Sequence, residues 1–242
     1  MNADFKEMTM KKLSTASIRE FCQLVLLNLK VRVKDTAEYA SIVWKYYDNL
    51  CFLKSDLSLT LMYLFHNPYR ISKRFLITRG DENLDVYGET PLTTLELILR
   101  QSGVTSPDHL VELGSGRGRG CFWAHAFIGC KVTGIEFISE FVDRANMIAS
   151  KLDLSGITFK NEEMTQADFS EGTVFYLYGS ALDDETIDAL VAKFEKMPSG
   201  TKILTVSFPL SDYTESNAFE LMKCFPAEYP WGTADVYLQV KK

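Results

Sequence analysis

The sequence has little of what builds covalent or metal-held frameworks. It carries five cysteines, Cys22, Cys51, Cys121, Cys130 and Cys224, an odd number with no C-x-x-C pair, and three scattered histidines, His66, His109 and His125. That excludes a disulfide scaffold and argues against a zinc cluster. With 14 glycines and 7 prolines it is neither collagen-like nor low-complexity, and no internal repeat is visible. The greasiest stretch, Leu24 to Leu29, is far too short to span a bilayer, and Met1-Asn-Ala-Asp-Phe-Lys-Glu lacks the basic-then-apolar layout of an export signal. These absences lead us to expect a reduced, cytoplasmic protein without a membrane span.

What is present is ordinary globular composition, 46% hydrophobic and 24% charged, over 242 residues. That length buries a core unaided and suits one principal domain with an extension. The net charge of -6 hides an asymmetry: residues 1–80 sum to +6 and residues 81–242 to -12. The acidic part suits cationic substrates and repels phosphates, which argues against a nucleic-acid partner.

Up to about Phe65 the apolar residues recur at helical spacing, in Ile18, Phe21, Cys22, Val25 and Leu29, then Tyr39, Ile42, Val43, Tyr46, Tyr47 and Leu50, then Leu57, Leu61 and Leu64. This predicts a helical extension or cap over residues 1–80. His66-Asn-Pro-Tyr-Arg breaks the pattern, and the stretch from Gly80 to Val86 reads as a connecting loop. Thr90-Pro91 then predicts a helix to about Gln101, with the threonine hydroxyl as cap.

From His109 onward short apolar runs alternate with helical stretches. The runs are Leu110–Leu113, Val132–Ile135, Ile157–Phe159, Val174–Leu177, Ile203–Val206 and Val236–Val240, with helices over 122–128, 141–152 and 186–194. Consecutive apolar residues suit strands buried on both faces, so residues 81–242 are expected to form a doubly wound, mostly parallel α/β domain.

The first strand runs into Glu112-Leu-Gly114-Ser115-Gly116-Arg117-Gly118. Glycines here let backbone approach a ligand, and the following helix offers free N–H groups. The dinucleotide spacing G-x-G-x-x-G fails from either Gly114 or Gly116, and no Gly-Lys-Ser/Thr follows for a P-loop. An acid just before the first glycine favours a ligand with a cationic amino-acid end over a pyrophosphate.

At these residues the chain resembles the class I, seven-strand Rossmann-like S-adenosylmethionine-dependent methyltransferases. The likeness extends to Glu136 with its neighbour Phe137 at the end of the second strand, and to Glu163 and Met164 after the third. The resemblance implies S-adenosyl-L-methionine as cofactor, with Glu112, Gly114, Ser115 and Gly116 around it. Glu136 and Phe137 would serve the ribose side, and Glu163 and Met164 the adenine. Within the class, the chain looks most like the lysine methyltransferases related to the ATP-synthase c-subunit methylase and, more remotely, the non-SET histone lysine methylases. Tyr87-Gly-Glu-Thr90-Pro91, Met164-Thr-Gln-Ala-Asp168-Phe and Ser199-Gly-Thr-Lys-Ile-Leu-Thr-Val-Ser207 carry that likeness. In such relatives the segment of Tyr87 and Thr90 closes over the methionine end of the cofactor. Arg117 departs from them, standing where they often carry Asp.

Methyl transfer from a sulfonium needs alignment more than acid–base help. An aromatic wall suits a lysine amine, which makes Tyr178 the first candidate catalytic residue and Tyr87 the second. Asp183-Asp-Glu185 reads as a helix N-terminus, Trp231 and the cysteines as core, and His125 as a packed histidine. A protein lysine acceptor is the expected substrate. A small-molecule methyltransferase lidded by the front helices, a non-catalytic binding protein that keeps the fold, and, last, a dehydrogenase are the alternatives.

Overall fold

The computed structural model describes residues 39–81, 83, 84, 87–179 and 182–242; the expected helix around Ile18 to Leu29, and Cys22 with it, lie outside the described residues. The chain divides into two compact units, Met1–Asp48 and Asn49–Lys242. In the first, residues 39–46 are helical and the hydroxyls of Tyr39 and Tyr47 lie 2.9 Å apart.

The second unit opens with helices α1 (Leu50–Tyr63) and α2 (Pro68–Arg79), which the sequence assigned to the extension. Asn49 caps α1 by accepting from the N–H groups of Cys51 and Phe52. Asn67 caps α2 in the same way, Pro68 follows in the first turn, and Gly80 closes the helix at φ 88°. The Asn-Pro pair that reads as an interruption is thus a helix start, the order in which cap and proline normally stand. Phe52, Ser55, Asp56, Leu59 and Tyr63 are the buried residues of α1. Leu57, Leu61 and Leu64, expected to face inward, are 42%, 70% and 61% exposed. Apolar residues ring this helix, so periodicity does not choose a face. The choice falls to Asp56, whose carboxylate receives Arg119 at 2.6 and 2.9 Å.

After α3 (Leu92–Gln101) come β1 (His109–Leu113), α4 (Arg119–Phe127), β2 (Lys131–Glu136), α5 (Ser139–Lys151), β3 (Ile157–Asn161) and β4 (Val174–Leu177). Then follow α6 (Asp184–Phe194), β5 (Lys202–Val206), a 3₁₀ turn at Leu210–Tyr213, and the strands β6 (Phe219–Tyr229) and β7 (Gly232–Lys241). The seven strands lie in the order β3-β2-β1-β4-β5-β7-β6. β1 to β5 are parallel, whereas β7 runs antiparallel to both β5 and β6. This is the doubly wound sheet expected, with a strand more than the apolar runs revealed. β6 escaped because it is an edge strand: it alternates, leaves Leu221 and Met222 more than half exposed, and tolerates Pro226. No helix among the described residues is long and apolar enough to cross a membrane.

Two local expectations change. Thr90 does not cap α3: the cap position is Pro91, without a side-chain bond, and the Thr90 hydroxyl lies 2.6 Å from that of Tyr176. Trp231, expected in the core, sits in the β6–β7 turn and is 55% exposed. Asp183 does cap α6, accepting from the N–H of Thr186 at 2.8 Å. Of the cysteines described, Cys121 and Cys130 are buried, Cys51 half-buried and Cys224 exposed.

The buried Asp56–Arg119 pair gives a test of the helix face. Removing one partner of such a pair strands the other charge, so Asp56→Ala should cost about 3 kcal/mol in chemical denaturation. Leu61→Ala, on the exposed side, should cost no more than about 0.5 kcal/mol. The reverse ranking would place the wrong face inward.

Candidate active site

Strand order reverses between β1 and β4, both flanked by parallel neighbours, so their carboxyl ends open a crevice where the connections diverge to opposite faces. The glycine turn sits there. Gly116 has φ 54°, and a Cβ at this position would come within 3.2 Å of the Tyr87 ring. Gly118 has φ 78°, and a Cβ there would collide with Phe159 at 2.3 Å. Both the backbone angle and the close approach therefore require glycine, and they let the turn fold flat under Tyr87.

A cavity of about 490 Å³ opens above this turn. Gly114 and Gly116 form part of its floor, and Tyr87, Glu136, Phe137, Glu163, Met164 and Tyr178 contribute to its walls. Seven of these eight residues were expected at the cofactor; Tyr178 was expected at the acceptor. α2 adds Ser72, Leu76 and Arg79, which the sequence reading did not connect with the site. Arg79 places its guanidinium 5.1 Å above the Phe137 ring and reaches Glu163 at 3.3 Å, so the end of α2 stands beside this part of the cavity.

Glu136 is held by backbone: it accepts from the N–H of Gly116 at 2.9 Å and of Ile138 at 2.8 Å. Burial raises its pKa, and those N–H donors oppose the rise. Because β2 ends at Glu136 and bonds to the glycine turn, the acid is fixed relative to the floor.

The main cavity adjoins a pocket of about 20 Å³, with Gly88, Leu113, Gly114, Gly116 and Tyr178 common to both. Thr90, Glu112, Ser115 and Arg119 line this end, as does Glu89. The Ser115 hydroxyl is buried there without a hydrogen-bond partner in the protein, an orphan that a ligand could satisfy. The charges divide clearly. Glu89 is taken by Arg117, at 2.6 and 2.7 Å, and by the Tyr87 hydroxyl. Burial alone would raise the Glu89 pKa, but the Arg117 guanidinium more than cancels this and holds it below the ordinary value. Arg119 is shared with Asp56. Among the described residues Glu112 accepts from the Cys121 thiol, at 3.0 Å, and burial pushes its pKa up to about 7. No ion pair to Glu112 is seen among the described residues, and Arg119 lines the same pocket.

The two candidate catalytic tyrosines diverge. Tyr87 gives its hydroxyl to Glu89 and sets its ring between Tyr69 and Phe141, at 5.1 and 5.2 Å, so it is a wall rather than a reactive group. Tyr178 stands where the two cavities meet. Its ring stacks on Tyr229 at 5.3 Å and 1°, Tyr229 stacks on Trp231, and the Trp231 Nε1–H donates to the Tyr178 hydroxyl at 2.6 Å. Tyr229 was not anticipated, because β6 was not, and nothing in sequence spacing brings β4 to the β6–β7 turn. Arg119 was also missed, although Gly118-Arg119 at the start of a helix is a readable anion-side signal.

A donor set with an acid at the end of β2, an apolar wall, and a buried acid in the same pocket as an arginine fits an adenosine carrying a zwitterionic amino-acid tail. Sheet and cradle together are those of the class I, Rossmann-like S-adenosylmethionine-dependent methyltransferase fold. Within that class the chain belongs to the family described as "Histone methylation protein DOT1", whose profile matches residues 81–218. A relative, the "Histone-lysine N-methyltransferase, H3 lysine-79 specific" of Dictyostelium discoideum, is 24% identical over 137 residues. That match covers 50% of this chain and 7% of the relative, so the chain spans a small fraction of it. Among solved structures, an RNA methyltransferase from Salinibacter ruber in complex with S-adenosyl-L-homocysteine is 25% identical, with a TM-score of 0.52. The match covers 64% of this chain and 94% of that one. TrmN from Thermus thermophilus, 15% identical with a TM-score of 0.56, covers 65% of this chain and 51% of its own, and bears on the fold alone.

Glu112 yields a pH prediction. Its folded pKa of about 7 lies above the ordinary carboxylate value of 4.5, so the folded state holds the proton more tightly than the unfolded one. The ligand-free protein should therefore lose stability as pH rises from about 4.5 to about 7, by on the order of 2–3 kcal/mol from this group. Glu112→Gln should flatten that part of the profile in urea denaturation. An identical slope in the variant would show that Glu112 ionises as freely as in water.

Proposed function

We propose that the protein transfers the methyl group of S-adenosyl-L-methionine to a lysine amine of a protein substrate. The cofactor would supply a methyl group on a positively charged sulfur: the lysine ammonium first loses a proton to solvent, then its nitrogen bonds to the methyl carbon as the carbon–sulfur bond breaks and S-adenosyl-L-homocysteine leaves. Phe137 and Met164 give apolar contact on the adenine side, with Glu163 at its edge. Glu136, already oriented by the Gly116 and Ile138 N–H groups, presents its carboxylate to the ribose hydroxyls. Glu112 would hold the ammonium of the amino-acid tail and Arg119 its carboxylate, with Ser115 lining the same pocket. Tyr87 closes that end from above, on the lead-in segment that also holds Thr90.

The observation that carries the acceptor assignment is Tyr178 at the junction of the cavities, backed by the stacked rings of Tyr229 and Trp231, which themselves line neither cavity. The rings are packed on one another, so what they offer is an outer aromatic face, which can take an aliphatic stem in apolar contact and stabilise an approaching ammonium. A phenol oxygen has two acceptor positions. Trp231 fills one on Tyr178, and the other takes an amine N–H, which turns the nitrogen lone pair toward the methyl group. Rate then comes from alignment. The charge of -12 over residues 81–242 suits a basic protein substrate and disfavours RNA. The four cysteines among the described residues are free thiols, which supports a reducing, cytoplasmic setting.

Incubation with methyl-labelled cofactor, core histones and a cellular protein extract should place label in protein as methyl-lysine. Label confined to RNA or to small molecules overturns the acceptor assignment. Trp231→Ala, at a largely exposed turn, should lower kcat/KM for the protein acceptor about tenfold to a hundredfold through lost alignment, with cofactor affinity within about twofold of the wild type.

A further inference from the structure

Arg117 stands within the glycine turn, yet it lines neither of the two cavities described. It reaches instead across the turn to Glu89. Its Nε and one terminal nitrogen meet the two Glu89 oxygens at 2.6 and 2.7 Å, a two-point pair with both side chains mostly buried. The same carboxylate takes the Tyr87 hydroxyl, and the guanidinium lies 5.1 Å from the centre of the Tyr63 ring on α1. Arg144 approaches that ring at 4.7 Å and is itself tied to Glu140 on α5. The lead-in segment is thereby fastened to the glycine turn beneath it, and the fastening is braced by two helices.

We propose that Arg117 and Glu89 are positioning residues: their ion pair latches Tyr87–Thr90 shut over the methionine end of the cofactor cavity and sets how long cofactor stays bound. This rests on the cofactor assignment above. Two effects follow from the geometry. The latch holds the Tyr87 ring against Gly116, so its loss lets the segment lift. It also neutralises Glu89, which otherwise stands as a second uncommitted carboxylate beside Glu112 and unbalances a pocket matched to one ammonium and one carboxylate. Arginine is required because a planar fork grips both carboxylate oxygens, and a lysine ammonium does not reproduce that grip.

The test measures cofactor dissociation constant and release rate by stopped-flow fluorescence on the full chain, together with steady-state kinetics. If unlatching leaves the segment closed about one-tenth of the time, apparent affinity falls about tenfold. Arg117→Ala and Glu89→Gln should each show that loss, with faster release, while kcat at saturating cofactor falls less, by about threefold at most. The double variant should be no weaker than the worse single one, since both remove the same contact. Arg117→Lys should lie between wild type and Arg117→Ala and keeps the test open if the alanine variant does not fold. Wild-type affinity and release in Arg117→Lys and Glu89→Gln, or losses that add in the double variant, overturn the latch. Failure of the wild type to bind S-adenosyl-L-methionine overturns the cofactor assignment instead, so the two failures are distinguishable.

Discussion

The turn between β1 and α4 presents two arginines, and each is neutralised by a carboxylate from outside the Rossmann-like core. Arg117 meets Glu89 on the lead-in segment, and Arg119 meets Asp56 on α1. A glycine-rich turn has little side chain of its own to hold it, and positive φ at Gly114, Gly116 and Gly118 gives it a conformation that costs backbone entropy. The two ion pairs supply the restraint that the glycines cannot. The Asp56–Arg119 pair also helps to fix which face of α1 turns inward, together with the bond from Asn49 to the Ala126 carbonyl and the packing of Tyr63 on Phe141.

The same constraint organises the electrostatics. Four charged groups, Glu89, Glu112, Arg117 and Arg119, crowd the methionine end, and an unpaired charge among them is costly in a buried setting. Glu89 and Arg117 cancel. Arg119 is shared with Asp56. What is left uncommitted is the Glu112 carboxylate, which burial keeps near the point of taking up a proton until a cation arrives. A site that holds one free acid beside one shared arginine is matched to a zwitterion, and a diphosphate would find the acid repulsive.

The sequence made the sheet legible because parallel strands are buried on both faces, and runs such as Val174–Leu177 have no polar residue to blur them. The cofactor side was legible for a related reason: Glu112, Gly114, Gly116 and Glu136 lie at strand ends whose spacing is set by the fold itself. Legibility failed where chemistry is non-local. β6 was missed because an edge strand alternates as surface does. The exposed side of α1 was taken for its core side because both are apolar. Thr90 was taken for a cap because its true partner, Tyr176, is eighty-six residues away.

What the sequence determined by itself is therefore the class of fold and the place of the glycine turn and its flanking acids, since both follow from local patterns of burial, glycine and acid along one strand–turn–helix unit. Tertiary structure alone decided the rest. The pairing of Glu89 with Arg117, of Asp56 with Arg119, and the meeting of Tyr178 with Tyr229 and Trp231 join segments separated by 28 to 63 residues. No local periodicity encodes such contacts. They exist because folding brings the ends of β4, β6 and β7, the lead-in segment and α1 to the same rim of the sheet, where each buried charge must find a partner.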